Sequence, residues 1–194
     1  MKHDCSNRNN ILTCAQRLFY EKGYDAVGVQ EIVDTAGITK PTMYYYFKSK
    51  QGLLECLLEE GGKKMLASIH DALQMEGNFE EVLKGVISSY IRIALDNKEF
   101  YLMLVSLFSS ARDNEAFKAA RPYISQLFLM LQEFFGRFAN EQEGLRGKEE
   151  YCSISFTGII NTYMLVAFQR GTIDEVLENH EIIDFMVKQF LFTL

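Results

Sequence analysis

Tryptophan is absent from this chain, and its 194 residues include only two prolines, three histidines and four cysteines. Each scarcity excludes something. Pro41 and Pro122 leave long stretches unbroken, and no Asn-Gly or Asp-Gly pair marks a hairpin. With no strictly alternating apolar segment either, an all-helical fold is expected. Cys5, Cys14, Cys56 and Cys152 form no CxxC pair, so neither a disulfide framework nor a thiolate metal site is expected, and reduced thiols are the default. A redox-sensing cysteine would need an electropositive neighbourhood that the sequence does not supply. His3, His70 and His180 fall in no HExxH or other ligand spacing. There is no glycine-rich phosphate loop: Gly61 and Gly62 sit inside a helical pattern, and Glu59 and Glu60 read as a solvated face. No catalytic constellation results, so neither an enzyme nor a cofactor is expected. Runs of eighteen apolar residues are also missing; "FYLMLVSLF" and "YMLVAF" are too short to span a bilayer. The opening "MKHDCSNRNN" is polar and does not read as a leader, so a cytoplasmic protein without a membrane partner is expected.

What is present is a sizeable apolar fraction, 48%, with 15 phenylalanines and 8 methionines, enough to fill a core. Net charge is -6, which argues against indiscriminate coating of nucleic acid. The charge is uneven. Residues 1–52 hold seven lysines and arginines against five aspartates and glutamates; the remainder holds 13 against 21. A mildly basic head therefore precedes an acidic body.

The head divides into short helical pieces. Ile11, Ala15, Leu18 and Phe19 recur at helical spacing until Gly23. Val29, Ile32, Val33 and Ala36 form a second stripe, stopped by Gly37, after which Ile38 is expected to tuck inward. Thr39 suits an N-cap, with Pro41 in the first turn of a helix over about 40–47. Ser49 caps a long fourth helix beginning at Lys50. Two helices joined by the four residues "AGIT" form a helix-turn-helix pattern. At 100° per residue, Met43, Tyr46 and Phe47 cluster toward the core, while Pro41, Thr42, Tyr44 and Tyr45 point away. Tyr44 and Tyr45 then stand beside Lys40, Lys48 and Lys50, a set suited to phosphates; Pro41 and Thr42 suit base edges. The plainer reading packs both tyrosines on the neighbouring long helix and leaves the lysines solvated.

Residues from about 8 to 58, "ILTCAQRLFYEKGYDAVGVQEIVDTAGITKPTMYYYFKSKQGLLECLL" at their heart, closely resemble the DNA-binding domain of TetR-family transcriptional regulators. The resemblance implies that Lys40, Pro41, Thr42, Tyr44 and Tyr45 meet bases and phosphates and that Lys50 grips a phosphate. Gln30 matches a position that reaches DNA, and Thr39 and Lys48 flank the same helix. Two positions depart from the pattern. The second helix begins at Gly28-Val29 where a Thr or Ser cap is usual, and Gly52 stands where an acid would complete the capping box of Ser49.

The resemblance extends to the organisation: a DNA-binding domain over 1–52 and a ligand-binding and dimerisation domain over 53–194, about nine helices in all. In the body, helices are expected after Asn78, over "KEFYLMLVSLFSSA", over a long segment that Pro122 kinks or divides, and over "EEYCSISFTGIINTYMLVAFQRG" and "NHEIIDFMVKQFLFTL". Residues 141–150 read as a loop. The last two helices carry more apolar surface than one chain needs, and in this family such a pair forms a dimer interface. Phe156, Ile160, Met186 and Phe190 are the residues expected there; completing the monomer's core is the alternative use of the same side chains. Polar residues inside apolar runs, namely Tyr90, Arg92, Tyr123, Asn161 and Tyr163, are the candidates for an effector pocket. The expected partners are a near-palindromic double-stranded DNA operator, a second copy of the chain, and a small apolar or aromatic effector. The competing reading is a helical dimeric adaptor without specific DNA binding.

Overall fold

The computed structural model describes residues 2–178, 180–192 and 194. The side chains of His3, Cys5 and His180 lie outside the described residues. Among those described, every regular element is helical: α1 (Lys2–Lys22), α2 (Val29–Ala36), α3 (Lys40–Phe47), α4 (Lys50–Leu73), α5 (Phe79–Asp96), α6 (Lys98–Phe108), α7 (Glu115–Phe138), α8 (Glu149–Arg170), α9 (Ile173–Glu178) and α10 (His180–Leu191), with a single 3-10 turn at Glu143–Leu145. The short α9 has no counterpart in the sequence reading. Six residues cannot show a helical period, and so short a helix depends on packing, here with Val176 buried.

Two compact units emerge. The first combines Met1–Lys63 with Glu99–Tyr123; the second combines Lys64–Lys98 with Ile124–Leu194. The expected division at residue 52 is one of function, whereas these units are drawn by packing, and α4 and α7 each contribute to both.

In the first unit the α1 stripe is buried as its spacing requires: Ile11, Ala15, Leu18 and Phe19 join Ile32, Val33, Met43, Phe47, Leu53 and Leu54. α2 ends on Gly37 at φ 65°, with the Ile38 N–H donating to the Val33 carbonyl at 3.0 Å, a Schellman closure. Ile38 itself is only half-buried, short of the inward tuck expected. The Gly61-Gly62 pair has a packing reason. A Cβ at Gly61 would collide with the Phe100 ring, and one at Gly62 with the Tyr123 ring.

The second unit is built on aromatic rings. Phe79, Phe134, Phe135, Phe138, Phe156 and Phe190 form a continuous cluster with centroids 5.1–6.2 Å apart. The α5 register reads as expected, with Val82, Val86, Ile87, Tyr90, Ile91 and Ala94 buried. Its start is fixed by a full capping box: the Glu81 N–H donates to Asn78 Oδ1 at 3.0 Å and the Asn78 N–H to Glu81 Oε2 at 2.9 Å. Helix α7 runs through Pro122 as one element rather than dividing there. The polar stretch after α7 is pinned by Leu145, which is fully buried. Among the described residues one helix, α8, is long and apolar enough by length and composition to cross a membrane, because one face fills this core and another exposes Tyr151, Ile154 and Val166.

Candidate nucleic-acid interface

Helices α1 to α3 are fastened by polar contacts as well as by their core. Asn10 Nδ2 donates to the Ala36 carbonyl at 2.8 Å, so α1 holds the C-terminus of α2. At the other end, Lys22 Nζ meets Glu31 Oε1 at 2.5 Å, and that carboxylate raises the lysine's pKa. α2 starts on Gly28, which has extended backbone and no side-chain cap, as expected from the missing Thr or Ser.

α3 has the cap the sequence promised: Thr39 Oγ1 accepts from the Thr42 N–H at 3.5 Å and lies 2.9 Å from Thr42 Oγ1. Met43 and Phe47 are buried, one turn apart. Tyr44 is 43% exposed and Tyr45 68% exposed, so the plainer reading, in which both pack away, fails for Tyr45. Tyr46 is corrected: it is half-buried, not core. An eight-residue helix offers the core one i,i+4 pair, and Met43 and Phe47 fill it. The Tyr46 ring instead lies edge-on to Tyr45, centroids 5.1 Å apart, and 6.0 Å from Phe47. Pro41 and Lys40 are exposed and Thr42 half-buried. The helix thus presents Lys40, Pro41, Tyr44 and Tyr45 on a two-residue anchor.

The remaining expected contacts differ in how free they are. Gln30 is exposed, and its Nε2 donates to Asp34 Oδ1 at 2.7 Å, one turn along α2. Lys48 is exposed; its Nζ reaches the Tyr45 carbonyl at 3.3 Å. Lys50 is committed within the head. Its Nζ donates to the carbonyls of Tyr24 and Val27, both at 3.0 Å, and stands 4.1 Å from the centre of the Tyr24 ring. Sequence reasoning gave Lys50 a phosphate and missed this second duty. The Gly-Tyr after α1 was visible, but nothing in its spacing shows that the carbonyls of Tyr24 and Val27 converge on a lysine 26 and 23 residues away. The same loop is held from another side, where Asn114 Nδ2 meets Asp25 Oδ2 at 2.5 Å. Arg8 was also missed. It pairs with Glu60 Oε1 at 2.7 Å and lies 5.6 Å from the centre of the Phe47 ring, joining α1 to α4 beside the end of α3.

This geometry can be set against known proteins. The sequence profile described as "Bacterial regulatory proteins, tetR family" matches residues 11–57, the stretch that forms α1 to α3 and the first turns of α4. The HTH-type transcriptional repressor BdcR of Escherichia coli is 45% identical over 81 residues, 42% of this chain and 41% of that protein. An uncharacterized HTH-type transcriptional regulator of Bacillus subtilis, YerO, is 27% identical over 187 residues, 94% of this chain. The head of this chain belongs to the TetR family. It spans 62% of YerO and 44% of the HTH-type transcriptional activator FasR of Mycolicibacterium smegmatis, so it covers under two thirds of these relatives. Among solved structures, the fold matches AibR, crystallised with isovaleryl coenzyme A and operator DNA, at a TM-score of 0.68 and 20% identity over 94% of this chain and 97% of that one. The TetR family is one of regulatory proteins, in keeping with the expectation that this chain is not an enzyme.

The body of the chain places the other expected residues unevenly. Tyr90 is buried, Asn161, Tyr163 and Tyr123 are half-buried, and Arg92 is exposed on the outer side of α5. Tyr123 falls in the first unit and the other four in the second. A cleft of about 420 Å³ lined by Asn78, Phe79, Glu141, Gln142 and Leu191 contains none of them. Thr157, overlooked in the sequence, has a buried hydroxyl with no hydrogen-bond partner.

The interface residues need correcting. Phe156, Ile160, Met186 and Phe190 are all buried in their own unit, with Phe156 and Phe190 inside the aromatic cluster. They finish the monomer's core and offer nothing to a partner. The apolar side chains that α8 and α10 leave exposed are Tyr151, Ile154, Val166 and Phe185, with Phe185 lying 6.5 Å from the half-buried Tyr163 ring.

Proposed function

We propose that this protein is a ligand-responsive transcriptional regulator that works in the cytoplasm. It acts as a repressor, binding a near-palindromic operator as a homodimer and leaving it when a small apolar effector binds. The observation that carries the reading is the recognition helix: Tyr44 and Tyr45 exposed beside Lys40 and Lys48, on a helix anchored by Met43 and Phe47. Phenolic hydroxyls and ammonium groups together suit phosphates, and an exposed two-turn helix suits the major groove. Two copies related by a two-fold axis would set two such helices about one DNA turn, ~34 Å, apart.

Dimerisation is assigned to the outward face of α8 and α10. Tyr151, Ile154, Gly158, Thr162 and Val166 recur along one side of α8, all exposed. No atom lies within 4 Å of where a Gly158 Cβ would stand, so nothing inside the chain asks for glycine there. A partner helix approaching closely would. For the effector, the buried Thr157 hydroxyl and Asn161, one turn further along α8, are the groups assigned to receive its polar end. AibR, similar in fold, was crystallised with isovaleryl coenzyme A and operator DNA, which supports a small-molecule effector acting on a DNA-binding protein of this fold. An effector releases DNA only so far as it favours the non-binding arrangement, typically by ~1–3 kcal/mol of coupling.

The test is selection of bound duplexes from a random library, followed by a salt titration and by Tyr45→Ala on the winning duplex. A palindromic motif with a steep salt slope, weakened by Tyr45→Ala while assembly is unchanged, is the expected result. No enrichment at low salt would remove the DNA-reading role and promote the adaptor reading.

A further inference from the structure

The junction between α3 and α4 has an unusual backbone. Lys48 has φ 66° and ψ -37° and is the one non-glycine residue with positive φ among those described. The Ser49 N–H donates to the Phe47 carbonyl at 2.7 Å, two residues back. These are the marks of the positive-φ form of the γ-turn, which is rare and strained. Strain of this kind persists only where the surroundings impose it, and Gly52 is part of what does. Its N–H donates to Ser49 Oγ at 2.9 Å, and a Cβ on Gly52 would lie less than 3.0 Å from the Phe47 carbonyl oxygen. That neighbour is backbone, so no rotamer change relieves the clash. An acid at position 52 would complete the Ser49 capping box, but this turn leaves no room for it.

We propose that Lys48 and Gly52 are positioning residues for DNA recognition: the γ-turn at Phe47–Ser49, admitted only by the bare Cα of Gly52, sets the angle at which α3 leaves α4. The inference rests on the reading of α3 as the DNA-reading helix. Two further contacts tie the turn to the exposed tyrosines. The Lys48 N–H donates to the Tyr44 carbonyl at 3.0 Å, and Lys48 Nζ reaches that of Tyr45. The Phe47 ring is buried, so a changed turn moves the helix rather than the ring.

The experiment compares Lys48→Gly with Lys48→Val in the full chain, using the duplex selected by the wild type and a scrambled duplex, well below each variant's thermal midpoint. Both substitutions remove the same charge and the same contact to Tyr45; they differ in tolerance of positive φ. The expected result is that Lys48→Val discriminates between the duplexes about tenfold less well than Lys48→Gly, with non-specific binding equal in the two. Gly52→Ala should lose discrimination in the same way. Equal discrimination by the two Lys48 variants overturns the proposal, since Lys48 would then act through its charge alone. Wild-type discrimination in Gly52→Ala overturns it too. If Gly52→Ala does not fold, the Lys48 pair still decides. A wild type that selects no duplex removes the DNA-reading role and this inference with it, an outcome distinct from variants that bind as the wild type does.

Discussion

At the scale of single residues, the departures from the expected pattern make local claims that can be measured. Gly28 caps α2 with φ -90° and ψ 155°, a conformation open to any residue, and no atom lies within 4 Å of a Cβ placed there. Gly28→Ser should therefore supply the missing cap oxygen and reduce the freedom of the unfolded chain. A gain of ~0.5–1 kcal/mol in urea unfolding is expected; a loss would mean that the loop before α2 needs glycine. Tyr24 offers a second test. Burial, with Glu115, Asp25 and Glu55 adding to it, pushes its phenol from 10.0 up to about 12. The folded state thus holds the proton more tightly than the unfolded one. The stability this provides is intact below pH 10 and is lost as pH rises toward about 12. Alkaline unfolding followed by phenolate absorbance should show a weaker decline in this window for Tyr24→Phe than for the wild type.

At the scale of elements, Lys50 decides how the head is assembled. Its ammonium is shared by two carbonyls and a ring, all in the loop between α1 and α2. Lys50→Ala should therefore cost ~1–3 kcal/mol in urea unfolding with no DNA present, since it leaves two carbonyls without their charged donor. Unchanged stability would show that the lysine is free for a phosphate alone. Tyr45→Ala makes the matching contrast, because a side chain 68% exposed should alter DNA affinity and leave stability nearly untouched.

At the scale of the whole molecule, the two sides of α8 and α10 predict opposite outcomes for similar substitutions. Phe190→Ala removes a ring from the cluster of Phe135 and Phe156 and should cost ~3–5 kcal/mol in stability. Ile154→Glu, or Phe185→Glu, places a charge on exposed surface and should leave each folded chain intact while shifting sedimentation from dimer toward monomer. A fully dimeric Ile154→Glu variant that is as stable as the wild type would remove this face from the interface.

The sequence by itself determined the helices, the short α9 excepted, and several of their caps, because these depend on interactions only a few residues apart. The stripe of Ile11, Ala15, Leu18 and Phe19, the Thr39 cap, the Gly37 stop and the Met43–Phe47 pair are all present as their spacing requires. What tertiary structure decided was which of several available faces each apolar side chain uses. Both sides of α8 and α10 are apolar, so periodicity could not distinguish Phe156 and Phe190, which close the core, from Ile154 and Phe185, which remain outside. Tyr46 was placed inward by its angle on the wheel, yet two residues already filled the space available to so short a helix. The Lys50 contacts and the Arg8 bridge join groups brought together only by the folded backbone, and local sequence carries no record of distances across it.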